Sequence, residues 1–280
     1  MKIKNKLIKR YRPTTASRRL ASVLRIRQKT KPKKSLLGSI TKRSGRDSFG
    51  RVSVRHRGAG NKRLYRQVDF KQTRFDLMAS IEAIEYDPNR NSRILLIKYK
   101  DGKFSYILAY KGAEVGHEII SSKDRVAIKS GNRTRLKNMP LGTEVHNVEL
   151  QPGAGGKLFR AAGAYGILEA KEEKYVNLKT PAKETRMVLA DCFASIGAVG
   201  NAEYSLIRIG SAGRNRHRGI RPTVRGVAMS PNAHPHGGGE GKSPIGMKSS
   251  KTFTGKIARG VKTRKKHKYS DKLIIKRRKR

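Results

Sequence analysis

Positive charge falls along this chain in three blocks, and that partition limits the fold more than any motif does. Residues 1–60 carry 20 basic side chains and 1 acidic one, and residues 204–280 carry 22 and 2. The intervening 61–203 hold 24 and 17, much nearer balance, while the whole chain of 280 residues reaches a formal net charge of +46. Core-forming residues follow the same partition: Leu, Ile, Val and Phe number 35 of 143 in the middle but 13 of 77 in the C-terminal block. Ordering a residue costs about 1–2 kcal/mol of backbone entropy, so each terminal block needs on the order of 100 kcal/mol of compensation. So few apolar groups cannot supply it. The sequence therefore predicts a modest globular middle with two basic extensions that order only against a partner. A self-repelling surface of this sign selects a polyanion as that partner.

Other classes fall away quickly. Cys192 is the single cysteine, which excludes a disulfide scaffold and a Cys-rich zinc site. No apolar run approaches the roughly 20 residues that span a bilayer; the longest candidate, Ile94-Leu95-Leu96-Ile97, is of strand length. Residues 1–10 are basic without an apolar signal core, so secretion is not expected. Neither extension has the amphipathic apolar face of a membrane-surface helix.

The middle reads as all-β. Short β-favouring runs recur at 81–86, 93–99, 104–110, 145–150, 165–170, 174–179 and 185–190, each bounded by turn residues. Asp101-Gly102 is a two-residue hairpin signal. Val176 and Leu178, then Thr185, Met187 and Leu189, alternate with more polar neighbours as half-buried strands do. A length of about 140 residues in short strands suits two small barrels better than one sandwich. The stretch 131–142 is expected to be the join.

Four stretches carry chemistry. Pro152-Gly153-Ala154-Gly155-Gly156-Lys157, followed by Arg160, is either a backbone cradle for phosphate or a tight turn between barrels. Leu158 stands where a dinucleotide fingerprint needs its third glycine. His236-Gly237-Gly238-Gly239-Glu240-Gly241-Lys242-Ser243 imitates a P-loop but lacks the first glycine, and no strand and helix flank it. A glycine strip packed closely on a nucleic-acid backbone fits better. His234 and His236 have too few neighbouring ligands for a metal, and Ala233 cannot set a tautomer for a general base, so base stacking or donation to phosphate is expected of them. Arg214, Arg216, Arg218, Arg221 and Arg225 lie in twelve residues broken by Gly and Pro; they cannot form one helix face, and their forks match phosphates bidentately. Irregular Gly-rich basic arms without a helix-turn-helix, zipper or finger pattern favour RNA over DNA.

The run Arg221-Pro222-Thr223-Val224-Arg225-Gly226-Val227-Ala228-Met229-Ser230-Pro231-Asn232-Ala233-His234-Pro235-His236-Gly237-Gly238-Gly239-Glu240-Gly241 closely resembles the signature of the L-two family, the second protein of the large ribosomal subunit. Thr14 with Arg18-Arg19, Arg55-His56-Arg57-Gly58, Tyr65-Arg66-Gln67-Val68-Asp69-Phe70, Glu85-Tyr86-Asp87-Pro88-Asn89-Arg90, Val145-His146-Asn147-Val148-Glu149 and Gly200-Asn201-Ala202-Glu203 agree in order. The resemblance runs from about Tyr11, which leaves no room for a long cleaved presequence, and its short layout is of bacterial or plastid-like type. It departs at Ala233, where the family usually has an acid, at His217, where bacterial members often have Trp, and at Gly58-Ala59-Gly60-Asn61.

The resemblance implies a mainly β chain, with an OB-fold barrel followed by an SH3-like barrel between long irregular basic extensions. The expected segments are 1–60, 61–130, 131–203 and 204–280. It implies a structural, primary rRNA binder near the peptidyl transferase region that supports subunit association and tRNA binding. The expected partners are large-subunit rRNA, small-subunit rRNA at a subunit bridge, neighbouring ribosomal proteins and, indirectly, tRNA. Neither a membrane nor a homo-oligomer is expected. No intrinsic cofactor or metal is expected, Mg²⁺ arriving only through bound rRNA, and the location is the cytoplasmic ribosome. Arg90 and Arg160 match RNA-contacting positions of the family. The expected RNA contacts also include Arg55, Arg57, Lys62, Arg66, Lys157, Lys242, Gly237, Gly238 and Gly239 beside the arginines and histidines above. No enzyme activity is expected; His234 matches a histidine whose part in peptide-bond formation is disputed.

Overall fold

A computed structural model describes residues 7–25, 30–241, 243–265 and 267–278. The near-neutral middle forms two curled antiparallel sheets, each around its own core. In the first, the strands run in the order Phe104–Leu108, Ile94–Tyr99, Ala79–Glu85, Glu118–Ile119. The Asp101-Gly102 turn joins two of them, with Gly102 at φ +80° and the register Lys98↔Phe104, Leu96↔Tyr106, Ile94↔Leu108. Alternation along Ala79–Glu85 turns Ala79, Ile81, Ala83 and Glu85 inward, and a bulge between Ile81 and Ala83 bends the strand. Ile81, Leu95, Ile97, Ile107 and Ile119 pack together there. Each such side chain contributes about 1.5–3 kcal/mol when fully buried.

The second sheet has seven strands in the order Ile274–Lys276, Thr185–Leu189, Tyr175–Lys179, Gly166–Lys171, Glu144–His146, Phe193–Ile196, Arg133–Arg135. Leu136, Met139, Val145, Leu168, Val176, Leu178 and Val188 fill its interior. Two expectations change here. The stretch 131–142 is more than a join, because it supplies the edge strand Arg133–Arg135 and the 3-10 turn Leu136–Asn138. The run 145–150 is not one strand. Asn147, at φ +49°, breaks it, so that Glu144–His146 stays in the large sheet while Val148–Glu149 pairs with Gly156–Leu158.

The chain groups into two units, and the segments 1–60 and 204–280 each contribute to both. One unit is Met1–Thr41, Lys62–Ser211 and Lys272–Arg280, and the other is Lys42–Asn61 with Ala212–Asp271. In the first, the Lys33 N–H donates to the Tyr106 hydroxyl (2.9 Å), which donates to the buried Glu85 carboxylate (2.7 Å). Leu37–Gly38 also pairs with Tyr65–Arg66. The C-terminal strand Ile274–Lys276 closes the edge of the seven-stranded sheet with register Thr185↔Lys276. In the second unit, regular structure is sparse: a short helix Ala212–His217, a 3-10 turn Gly226–Ala228, and isolated bridges such as Arg57↔Ile220.

Candidate nucleic-acid interface

Arg90 is positioned by the turn that precedes it. The fully buried Asp87 carboxylate accepts from Arg90 Nε at 2.6 Å and from the Asn89 N–H at 2.9 Å. The guanidinium then lies 5.3 Å from the centre of the Phe70 ring. Arg160, seventy residues later, lies 4.6 Å from the same ring. Two guanidinium groups on one phenyl ring repel each other, and each cation–π contact contributes only about 0.5–1 kcal/mol at an exposed position. A phosphate beside them relieves that repulsion and accepts both forks. Phe70 ends the Tyr65 to Phe70 run that carries the resemblance, but nothing in its sequence neighbourhood signals that two distant arginines converge on it.

The glycine loop before Arg160 is a turn and not a cradle. Its N–H groups face inward: Gly153 and Gly155 donate to the Glu149 carboxylate at 3.0 and 3.1 Å, and Gly156 donates to the Phe70 carbonyl at 3.0 Å. Glu149 is 2% exposed and also receives Arg133 Nη2 at 3.2 Å and the Phe193 N–H at 3.2 Å. Burial holds the Arg133 guanidinium down at about 10, with Glu149 opposing the shift, so it stays charged at neutral pH. One internal ion pair thereby holds the loop that carries Lys157 and Arg160, both exposed. A Cβ on Gly156 would stand 2.4 Å from the Asn147 carbonyl oxygen, which is why that position is glycine. Arg66 also departs from expectation. It is 9% exposed, donates to the Leu64 carbonyl and sits near Glu85, so it acts as an interior counter-charge.

The second unit gathers most of the remaining predicted residues. Arg55 lies 3.7 Å from the centre of the Phe253 ring, and Arg57 bridges Ile220 through its backbone. Arg214 and Arg216 ride on the short helix Ala212–His217, which Arg218, Arg221 and Arg225 lie beyond, so the five do not share one helix face. The run then unwinds past Gly219, at φ +86°. Arg214, Arg216, Arg218, Arg221 and Arg225 are all exposed. Lys62, in the first unit, is exposed as well.

His234 and His236 are held by backbone. His234 Nδ1 accepts from the His236 N–H at 3.0 Å, and His236 Nε2 accepts from the Lys251 N–H at 2.8 Å. In the neutral form His234 therefore carries its proton on Nε2, and His236 on Nδ1. The close approaches of the glycines are to this chain itself. A Cβ on Gly226 would meet the His234 ring at 2.5 Å, and one on Gly237 would meet the Ser230 carbonyl oxygen at 2.4 Å. Gly238 and Gly239 turn the backbone at φ +88° and +80°. Lys242 lies outside the described residues.

Two family comparisons match this arrangement. Residues 33–121 match "Ribosomal Proteins L2, RNA binding N-terminal domain", and residues 129–255 match "Ribosomal Proteins L2, C-terminal domain". Together they cover more than three quarters of the chain. The chain belongs to the ribosomal protein L2 family. Its two curled sheets are accordingly an OB-fold barrel followed by an SH3-like barrel. Members of this family are structural, RNA-binding proteins of the large ribosomal subunit, and the Arg90–Phe70–Arg160 cluster and the arginine run are this member's candidate rRNA contacts. A cavity of about 610 Å³ is lined by Arg25, Arg93, Lys111, Glu114 and Glu203 among others, and so mixes both charge signs. Among the described residues no helix is long and apolar enough to cross a membrane.

Proposed function

We propose that this chain is a primary rRNA binder that stabilises RNA folding near the peptidyl transferase region and supports subunit association and tRNA binding. In this reading the barrels dock through Arg90, Arg160 and Lys157, while Arg55, Arg57, Lys62, the 214–225 arginines, Lys242 and the His234 to Gly239 segment contact RNA phosphates and bases. Large-subunit rRNA is the main partner. Small-subunit rRNA at a bridge, neighbouring ribosomal proteins and, indirectly, tRNA complete the set. Mg²⁺ enters with the RNA, and the ribosome is of bacterial or plastid-like type.

The observation that carries this reading is the convergence of Arg90 and Arg160 on Phe70, where Asp87 offsets only Arg90 and the cluster keeps an excess positive charge. A contribution to peptidyl transfer by His234 is the competing reading. A general base must accept a proton on an accessible lone pair. Here Nδ1 already accepts the His236 N–H, and Nε2 carries the ring proton, which favours a donor role toward an RNA oxygen. Gradient sedimentation of the native protein with and without ribonuclease tests the structural reading. Co-migration with the large subunit, lost on RNA digestion, is the expected result; migration indifferent to ribonuclease would refute it.

A further inference from the structure

Phe49 stands at the tip of a hairpin whose other apolar side chains, Val52 and Val54, are exposed. The Asp47 carboxylate accepts from the Phe49 N–H at 3.0 Å and from the Arg51 N–H at 2.8 Å. The Asp47 N–H donates to the Arg51 carbonyl at 2.9 Å, and the Arg46 guanidinium donates to the Gly50 carbonyl at 2.7 Å. Arg46 bridges Val52, and at the base the Ser53 and Val54 N–H groups both donate to the Gly45 carbonyl at 2.9 and 3.0 Å. Gly50, at φ +78°, lets the chain reverse. These polar bonds fix the tip, yet Phe49 is 85% exposed, the most exposed large hydrophobic side chain among the described residues.

The surroundings select the occupant. Lys42, Arg43, Arg46, Arg51, Arg55 and Arg57 share the segment 42–61 with a single acid, Asp47, and that carboxylate already caps the turn. A protein pocket receiving the ring would have to desolvate these cations as well. A nucleic acid offers both halves of the match: a π-face for the ring and phosphates on either side for the guanidinium groups. Phe253 shows the contrast, since the Arg55 guanidinium lies over its ring within the protein. We propose that Phe49 is a stacking platform for an unpaired base of ribosomal RNA, with Arg43 and Arg51 holding the flanking phosphates.

This proposal rests on the rRNA-binding reading, and the test separates the two. The full chain is titrated with large-subunit rRNA at several salt concentrations. Failure of the unaltered protein to bind would sink both ideas. If it binds, Phe49→Ala is expected to weaken affinity about 5- to 150-fold, the range for one stacked base. The log–log salt slope should stay unchanged, because no phosphate contact is lost. Phe49→Tyr should restore affinity, and Arg51→Ala should instead flatten the slope by about 0.7–0.9. The chain has no tryptophan, so Phe49→Trp makes a single tryptophan that can be excited apart from the tyrosines and that a stacked base quenches. Unaltered affinity in Phe49→Ala with unaltered emission in Phe49→Trp would overturn the proposal. So would an emission change that appears only when another ribosomal protein is added, which would assign the ring to a protein contact.

Discussion

His146 lies inside the seven-stranded sheet, 2% exposed, and its Nδ1 donates to the Gly197 carbonyl at 2.7 Å. Burial lowers its affinity for a second proton to a value of about 4, the nearby Arg133 charge adding to the effect, while the Gly197 carbonyl opposes it. The unfolded chain regains an ordinary imidazole near 6.5. Between those values the unfolded state binds more protons than the folded state, so this group's contribution is complete above pH 6.5 and is lost as pH falls toward 4. The loss is on the order of 3 kcal/mol. Denaturant midpoints measured from pH 7 to 4 should show this decline, and His146→Gln, which cannot titrate, should flatten it. A decline of equal size in the variant would assign it elsewhere. Glu169, held low by Lys179 and Thr185, and Asp191, held low by Lys137, work in the same direction at lower pH.

At the scale of elements, the loop 149–160 shows what a buried ion pair does in a basic chain. Arg133 Nη1 donates to the Asn147 carbonyl at 2.9 Å and Nη2 to Glu149, so one guanidinium joins the edge strand to the break at Asn147 and to the short strand that follows it. Removing the carboxylate by Glu149→Ala strands a buried cation and frees the loop's N–H groups. A loss of about 3–5 kcal/mol is expected, read as a lower denaturant midpoint; a loss under about 1 kcal/mol would contradict this account. The strands were legible where a short apolar run or an alternating one met a turn signal, as at Ile94–Tyr99, Phe104–Leu108 and Tyr175–Lys179. They were not legible where packing replaces alternation. Arg133–Arg135 is Arg-Thr-Arg on a sheet edge, and Phe193–Ile196 is buried at all four positions. In the candidate site Arg90, Arg160 and the arginine run could be read as cations. The interior placement of Arg66 and the capture of the glycine loop by Glu149 could not, because both depend on partners distant in sequence.

For the molecule as a whole, the three charge blocks set the conditions of RNA binding more than any single contact. A protein neutralising about ten phosphates should lose affinity with a log–log salt slope of roughly −7 to −9. Measured binding to large-subunit rRNA between about 50 and 200 mM salt checks this, and a slope near zero would mean that charge is not the main attraction. The two blocks differ in how they meet the folded middle. Lys33 reaches the core through Tyr106, whereas the C-terminal block adds a strand to the sheet at Ile274–Lys276. That strand has a consequence in time. On a chain made from its N-terminus, Thr185–Leu189 emerges well before its neighbour Ile274–Lys276, with about 84 residues between them, most of them in the basic, glycine-rich block. At about 5–20 residues per second, that interval is on the order of 4–17 s. Throughout it the nascent sheet presents an unpaired edge, the kind of surface that recruits stray strands, so a strand made long after its neighbour is the one that seals it.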